Sequence, residues 1–131
     1  MLRFMLDTDT VSLALRGEGR VAGRILDHRP SELCLSSLTL AELRYGADMR
    51  RSKKLHSLID AFTSAIAVAP LDRAAADRSG TVAAGLARRG TPIGGVDTLI
   101  AAHALMLGLT VVTNNSKHFG KVPGLKTENW L

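Results

Sequence analysis

The chain has 131 residues, 46% of them hydrophobic and 22% charged, with a formal net charge of +5 and a pI near 10. This length and composition predict one globular domain over residues 1–131 and exclude a disordered chain. No apolar run reaches the roughly 18 residues of a membrane span, so no membrane partner is expected. The positive charge favours an acidic partner such as nucleic acid. Cys34 is the single cysteine, so no intrachain disulfide can form. The first residues lack signal-peptide features, and we therefore expect a cytoplasmic protein.

Short apolar runs alternate with segments of helical periodicity along the chain. The predicted elements, in order, are strand 3–6, helices 9–17 and 19–29, strand 32–37, helices 38–50 and 53–66, strand 67–71, helix 72–90, a loop at 91–95, helix 97–108, strand 109–113 and a last short strand within 125–131. Because short apolar strands that alternate with helices favour a parallel sheet covered on both faces, we predict an α/β fold.

Polar side chains that could hold a ligand fall near the ends of these strands. Asp7 follows strand 3–6, Glu42 lies one turn into the helix after the second strand, Asp97 opens helix 97–108, and Asn115 follows the fourth strand. In a parallel α/β sheet the active crevice lies beyond the carboxyl ends of the strands. We therefore expect these four side chains to converge on one edge of the sheet.

Each of these residues also has a purely structural explanation. Asp7 or Asp9 fits the N-cap of the first helix, Thr39 and Glu42 fit a capping box, Asp97 fits another N-cap, and an Asn–Asn pair is ordinary in turns. Capping is sufficient for any one of them alone. Three carboxylates and an amide on one edge favour a site, since grouped carboxylates repel one another unless a cation lies among them.

Oxygen donors of this kind suit a hard cation, Mg²⁺ or Mn²⁺, held by Asp7, Glu42 and Asp97. A zinc site is disfavoured, because the four histidines show no ligand spacing; His103 is expected in the core and His118 on a surface loop. The absence of GxGxxG, GxxxxGK[ST] and GxSxG patterns argues against dinucleotide-binding, P-loop and serine-hydrolase functions.

A metal held by carboxylates in a basic protein suits phosphodiester hydrolysis, because the ion lowers the pKa of water and stabilises charge on the leaving oxygen. Glu42 could orient or deprotonate the attacking water. The segment 44–54 carries five basic residues that could bind a phosphate backbone: Arg44, Arg50, Arg51, Lys53 and Lys54.

Four stretches in order, "FMLDTDTVS", "SSLTLAELRYGA", "TPIGGVDTLIAAHALMLGLTVVTNNSKHF" and "KVPGLKTENW", together resemble the VapC toxins. These are PIN-domain ribonucleases of bacterial type II toxin–antitoxin pairs. The resemblance implies a PIN-domain α/β/α sandwich with a central, mainly parallel sheet. It also implies endonucleolytic cleavage of RNA that depends on Mg²⁺ or Mn²⁺.

The resemblance extends to individual site residues. Asp7, Glu42 and Asp97 match the three acids of the family, with Thr8 and Thr113 as supporting residues. The chain departs from the family pattern at two positions. Many PIN domains carry a fourth acid where this chain has Asn115, which removes one negative charge and argues against a tightly held second metal. Relatives commonly carry asparagine at the position of Asp9.

The resemblance further implies the partners. The substrate is expected to be a structured RNA of translation, namely a tRNA. The sequence is most similar to members of the family that cut initiator tRNA, whose cleavage inhibits protein synthesis. A VapB-type antitoxin would block the site by inserting a basic side chain among the acids. Operator DNA would be bound only through the antitoxin complex, and the toxin is expected to form a homodimer.

Three other functions compete with this one. A receiver-like phosphoacceptor domain has similar length and an acid pair after its first strand, but Asp72 and Lys117 poorly match its other required residues and Glu42 and Asp97 would have no role. A catalytically inactive PIN scaffold would not need the three acids. A purely RNA-binding module would not gather carboxylates near phosphates.

Overall fold

Five parallel strands form the centre of the fold. The computed structural model describes residues 1–131, and its strands are β1 (Phe4–Leu6), β2 (Leu33–Ser36), β3 (Ala67–Ala69), β4 (Thr110–Val112) and β5 (Thr127–Glu128). The strand order is β3-β2-β1-β4-β5, and each neighbouring pair is parallel. The predicted α/β fold is confirmed, with a sheet that is parallel throughout.

Helices connect the strands and cover both faces of the sheet. They are α1 (Thr8–Arg16), α2 (Val21–Leu26), α3 (Ser37–Met49), α4 (Lys53–Ala65), α5 (Arg73–Arg88), α6 (Gly95–Leu107) and α7 (Ser116–Phe119), with a 3-10 turn at Pro30–Glu32. The sequence pattern had indicated neither α7 nor the 3-10 turn, because elements of three or four residues are too short to show a period. No helix is both long enough and apolar enough to cross a membrane.

The two faces of the sheet have separate apolar cores. On β1, Phe4 and Leu6 point into a cluster completed by α1, α3 and α4, whereas Met5 points into a second cluster built largely by α5, α6 and the segment around Phe119. The side-chain period of two along a strand produces this division. The sheet is therefore held on both faces, and its strand ends are fixed relative to one another.

Two residues with reactive side chains belong to these cores, as the sequence predicted. Cys34 is fully buried in β2, and burial raises the pKa of its thiol to about 11. His103 is buried in α6 with its Nδ1 2.9 Å from the Ser36 hydroxyl oxygen, and burial is the main cause that lowers the pKa of His103. Neither side chain reaches the edge where the acids were expected.

The register of the central strands determines which residues meet at that edge. Leu6 is level with Leu35 of β2 on one side and with Val112 of β4 on the other. Asp7 follows Leu6 of β1, and Thr113 follows Val112 of β4. The backbone amide of Asp7 continues the hydrogen bonding between these strands by donating to the Val112 carbonyl at 3.0 Å. Asp7 and Thr113 therefore lie side by side where the strands end.

The C-terminal segment is anchored by Trp130, which is only 1% exposed. Its ring stacks on His28 with centroids 4.5 Å apart and meets Phe4 edge-on at 5.0 Å, while its Nε1–H donates to Glu128. This packing holds the residues that follow β5 against β1.

We expect Trp130→Ala to lower the free energy of unfolding by about 3–5 kcal/mol, because it empties a closely packed site. Urea denaturation would measure the loss. Tyr45→Ala, at an exposed position on α3, is the control and should change stability by no more than about 0.5 kcal/mol. A Trp130→Ala loss as small as that of the control would contradict this role.

Candidate active site

A polar cavity of about 230 Å³ opens at the carboxyl edge of the sheet. Its lining is almost entirely polar and contains no lysine or arginine: Asp7, Thr8, Asp9, Glu42, Asp97, Asn115 and Phe119. All four residues that the sequence predicted for the site are among them. The structure thus brings Asp7, Glu42, Asp97 and Asn115 around one cavity, and their catalytic role stays a prediction.

Asp7 is the most buried acid of the cavity, at 4% exposure. It is the N-cap of α1, with its Oδ1 accepting from the Thr10 amide at 2.8 Å. Burial raises the pKa of Asp7, Asp9 adds to the rise, and the hydrogen bonds from threonine oppose it. The carboxylate is therefore fixed in orientation yet short of counter-charge.

The alternative in which Asp9 caps the first helix is wrong. The helix begins at Thr8, so the acid that precedes it is Asp7, and Asp9 lies in the first turn. There Asp9 is exposed at the mouth of the cavity, where its negative charge raises the pKa of Asp7 and of Asp97.

Glu42 reaches the cavity from α3, where it accepts a hydrogen bond from the Thr8 hydroxyl. The Thr8 hydroxyl oxygen also lies 3.3 Å from that of the buried Thr39. The capping-box explanation for Thr39 and Glu42 is wrong, because α3 begins at Ser37 and its cap is Ser36, whose hydroxyl accepts from the Leu38 amide. Glu42 therefore has no part in starting its helix.

Asp97 lies in the first turn of α6 and is not the N-cap. That position belongs to Gly94, whose φ of 95° lies in the left-handed region that favours glycine. Burial raises the pKa of Asp97, and Asp9 raises it further, while the interaction with His118 lowers it. The start of a helix is favourable for a carboxylate because the helix dipole is positive there.

His118 is a residue that the sequence placed near the site but gave no part in it. Its Nε2 is 3.0 Å from Asp97 Oδ2 and 2.5 Å from the Ile93 carbonyl oxygen. The prediction of a surface loop is wrong, since His118 lies on α7. No local pattern marked the contact, because Ile93 and Asp97 lie more than 20 residues before His118.

Asn115 joins the cavity from the start of α7. Its backbone amide donates to the Thr113 hydroxyl oxygen at 2.9 Å. The Asn115 side chain makes no capping bond to the helix that it precedes. The neutral side-chain amide of Asn115 is thus available to the cavity and adds no charge to it.

The donor set suits a hard divalent cation, although its side chains do not close on a single point. No three histidine, cysteine or acidic side chains are grouped tightly enough to hold an ion. Two of the acids are turned towards other partners, Glu42 towards Thr8 and Asp97 towards His118. Yet four carboxylates and an amide share a cavity without a cationic side chain, and this is the chemistry that Mg²⁺ or Mn²⁺ satisfies.

The five basic residues of segment 44–54 fall into two groups. Arg44 is engaged within the protein, with Nη2 2.5 Å from Asp60 and Nη1 2.9 Å from Nδ1 of His56, whose Nε2 is 2.8 Å from Asp48. This network joins α3 to α4, so Arg44 is not free for phosphate. The other four are exposed: Arg50, Arg51, Lys53 and Lys54.

Comparison with known sequences gives a consistent result over the whole chain. Residues 4–125 match the PIN domain family. The chain is 39% identical over 131 residues to the tRNA(fMet)-specific endonuclease VapC of Salmonella typhimurium, covering 99% of each sequence. It is 34% identical to ribonuclease VapC2 of Haemophilus influenzae over 132 residues and 100% of each.

Solved structures with the same fold are toxin–antitoxin complexes. The DNA-bound VapBC of Salmonella typhimurium matches with a TM-score of 0.91 at 39% identity, covering 100% of both chains. VapBC2 of Rickettsia felis, bound to a promoter DNA fragment, matches with a TM-score of 0.89 at 31% identity, covering 99% of this chain and 100% of the other.

We expect Asp7→Asn to raise Tm at pH 7 in the presence of a chelator. Because the pKa of Asp7 is raised above its ordinary 3.8, the folded state prefers the protonated carboxyl, and ionisation costs stability at neutral pH. Asparagine keeps an oxygen acceptor for Thr10 without that cost. The cost vanishes as the pH falls through the raised pKa, so the Tm difference should shrink towards pH 4.

Calorimetry across this pH range would measure the effect. Asp77→Asn, an exposed acid on α5, is the matched control and should shift Tm little at any pH. A Tm for Asp7→Asn below that of the parent at pH 7 would rule out the explanation from burial.

Proposed function

The chain belongs to the VapC family of PIN-domain ribonucleases, and we propose that it is a Mg²⁺-dependent endoribonuclease toxin that cleaves initiator tRNA. Cleavage would inhibit protein synthesis until a VapB-type antitoxin neutralises the toxin. The observation that carries the proposal is the convergence of Asp7, Glu42 and Asp97 on one cavity of a basic protein. The choice of substrate is supported by the 39% identity to a VapC named as specific for tRNA(fMet).

In the proposed mechanism Glu42 has two parts. Asp7, Glu42 and Asp97 would hold the ion, which when bound supplies charge stabilisation and lowers the pKa of water. Glu42, at the exposed side of the cavity, would also accept the proton of the water that attacks the phosphorus. The bond to the leaving oxygen then breaks, and that oxygen takes up a proton from solvent. Asn115 orients a water through its amide, and its neutrality favours one tightly held ion.

A groove beside the cavity supports binding of a polyanion. Thr8 and Glu42 also line a smaller cavity of about 110 Å³ that extends between α1 and α3 as far as Arg50. Arg50 is shared with a third cavity of about 430 Å³, which Arg16 and Lys54 also line. We call this succession the α1–α3 groove, and we propose that the RNA backbone follows it from the basic end to the acids.

The same groove would serve the antitoxin. Leu15 and Leu55 line both of its cavities, giving it an apolar component between the cationic side chains. A peptide segment could bury apolar side chains there and reach the carboxylates with an arginine. The antitoxin and RNA would therefore exclude one another, and operator DNA would be bound through the antitoxin part of the complex.

A homodimer is also part of the proposal. Three apolar side chains on α6 are exposed by 38–46%: Val96, Met106 and Leu107. Pairing with a second copy would remove them from water, which is favourable in proportion to the apolar area buried.

We expect the purified protein with Mg²⁺ to cleave initiator tRNA within a tRNA pool. We expect the cleavage rate to fall by more than about 100-fold in each of the variants Asp7→Asn, Glu42→Gln and Asp97→Asn. Loss of an outer-shell partner of a metal costs up to about 100-fold, and loss of a direct ligand should cost more. Sequencing of RNA ends would report the rate and the cleaved position together, with Asp77→Asn as the active control.

Other outcomes would identify the competing functions. Cleavage that persists in all three variants or in a chelator would overturn the mechanism. Labelling by acetyl phosphate would indicate a receiver domain, and a folded parent without cleavage of any RNA would indicate an inactive scaffold.

For the groove, we expect Arg50→Gln to weaken tRNA binding and to reduce the slope of log K against log salt by about 1, as for the loss of one phosphate contact. Fluorescence anisotropy in an Asp97→Asn background would measure binding without cleavage. Arg88→Gln, on α5, removes the same charge outside the groove and should leave the slope unchanged. Equal slopes for both variants would place the RNA elsewhere.

A further inference from the structure

We infer that His118 is a positioning residue that holds Asp97 for metal binding through the contact of its Nε2 with the Asp97 carboxylate. This inference rests on the proposed function, since it assigns Asp97 to the ion. It concerns a side chain that the family resemblance left without a role and that the sequence had placed on a surface loop. The geometry around Nε2 carries it.

Two oxygens surround Nε2 of His118, and together they determine where its hydrogen lies. The Ile93 carbonyl oxygen, 2.5 Å away, can only accept a hydrogen bond. Nε2 must therefore carry a hydrogen, which is directed at Ile93. Asp97 Oδ2 lies 3.0 Å from the same nitrogen, beside the positive end of this N–H dipole. A protonated nitrogen has no lone pair for a metal, so His118 acts on the site as a donor and not as a ligand through this atom.

His118 and its two partners lie on three different segments. Ile93, in the loop before α6, is buried in the core, and Asp97 follows in the first turn of that helix. His118 itself is on α7, whose next residue, Phe119, is buried and lines the cavity. One imidazole thus links the loop, the start of α6 and α7, each of which is anchored independently.

For Asp97, this link limits side-chain rotation. The Asp97 side chain is 38% exposed, and the imidazole of His118 contacts one of its oxygens, Oδ2. We expect the contact at Oδ2 to leave Oδ1 for the ion. A histidine nitrogen that contacts a carboxylate ligand lowers the cost of ordering that ligand when the ion binds.

The test compares metal binding in variants of the whole chain without RNA. His118→Ala removes the donor, and we expect the Mn²⁺ dissociation constant to rise by about 10- to 100-fold, as for other outer-shell partners. His118→Gln restores an N–H at a similar reach and should recover most of the affinity. Lys117→Gln, exposed on the same short helix, is the control and should bind Mn²⁺ as the parent does. Electron paramagnetic resonance of free Mn²⁺ would report binding independently of cleavage.

A second measurement does not depend on whether the variants fold. Nitrogen-15 spectra of the parent's histidine rings at mildly alkaline pH should show a pyrrole-type Nε2 and a pyridine-type Nδ1 for His118. A pyridine-type Nε2 would overturn the inference, and so would equal Mn²⁺ affinity in the parent and a folded His118→Ala. If the parent neither binds Mn²⁺ nor cleaves RNA, the proposed function itself fails; if it does both while His118→Ala binds as well, only the role of His118 fails.

Discussion

The buried carboxylate of Asp7 is the constraint on which the site depends. Asp7 follows β1 and starts α1 by accepting from the Thr10 amide, while its backbone amide donates to Val112 of β4. The direction of a helix and the pairing of two strands therefore meet at one residue. Those bonds leave its orientation little freedom, and burial leaves its charge poorly compensated. An ionised carboxylate kept in this state lowers stability in the absence of a cation and is correspondingly well placed to receive one.

Opposite charges are separated over a short distance in this protein. The cavity gathers carboxylates and an amide without a lysine or arginine, while the adjoining α1–α3 groove carries Arg16, Arg50 and Lys54, with Glu18 paired to Arg16. In the proposed function a polyanion would be attracted to Arg50 and Lys54 and repelled by the cavity, and a bound divalent ion would reverse the second effect. The net charge of +5 and the acidic site would then be complementary, because each would act on a different part of the substrate.

The features that could be predicted from sequence are those that repeat or that follow from topology. Alternating apolar runs gave the parallel sheet, and the rule that strand ends share an edge brought Asp7, Glu42, Asp97 and Asn115 together. Helix starts were less certain, because Asp7 and Asp9, or Ser36 and Thr39, are equally good caps and only tertiary packing selects between them. The contacts of His118 with Ile93 and of Arg44 with Asp60 join residues 25 and 16 positions apart, and no local pattern encodes them.

Thr8 and Glu42 form a boundary that belongs to both the acidic cavity and the groove. A molecule lying in the groove therefore meets the Glu42 carboxylate before it reaches Asp7 or Asp97. Inhibition by occlusion of this passage does not require a ligand small or polar enough to enter the cavity itself. A peptide that places apolar side chains against Leu15 and Leu55 and one cation against Glu42 would be enough to block this passage. Such an inhibitor would not need to bind the metal, as a chelator does.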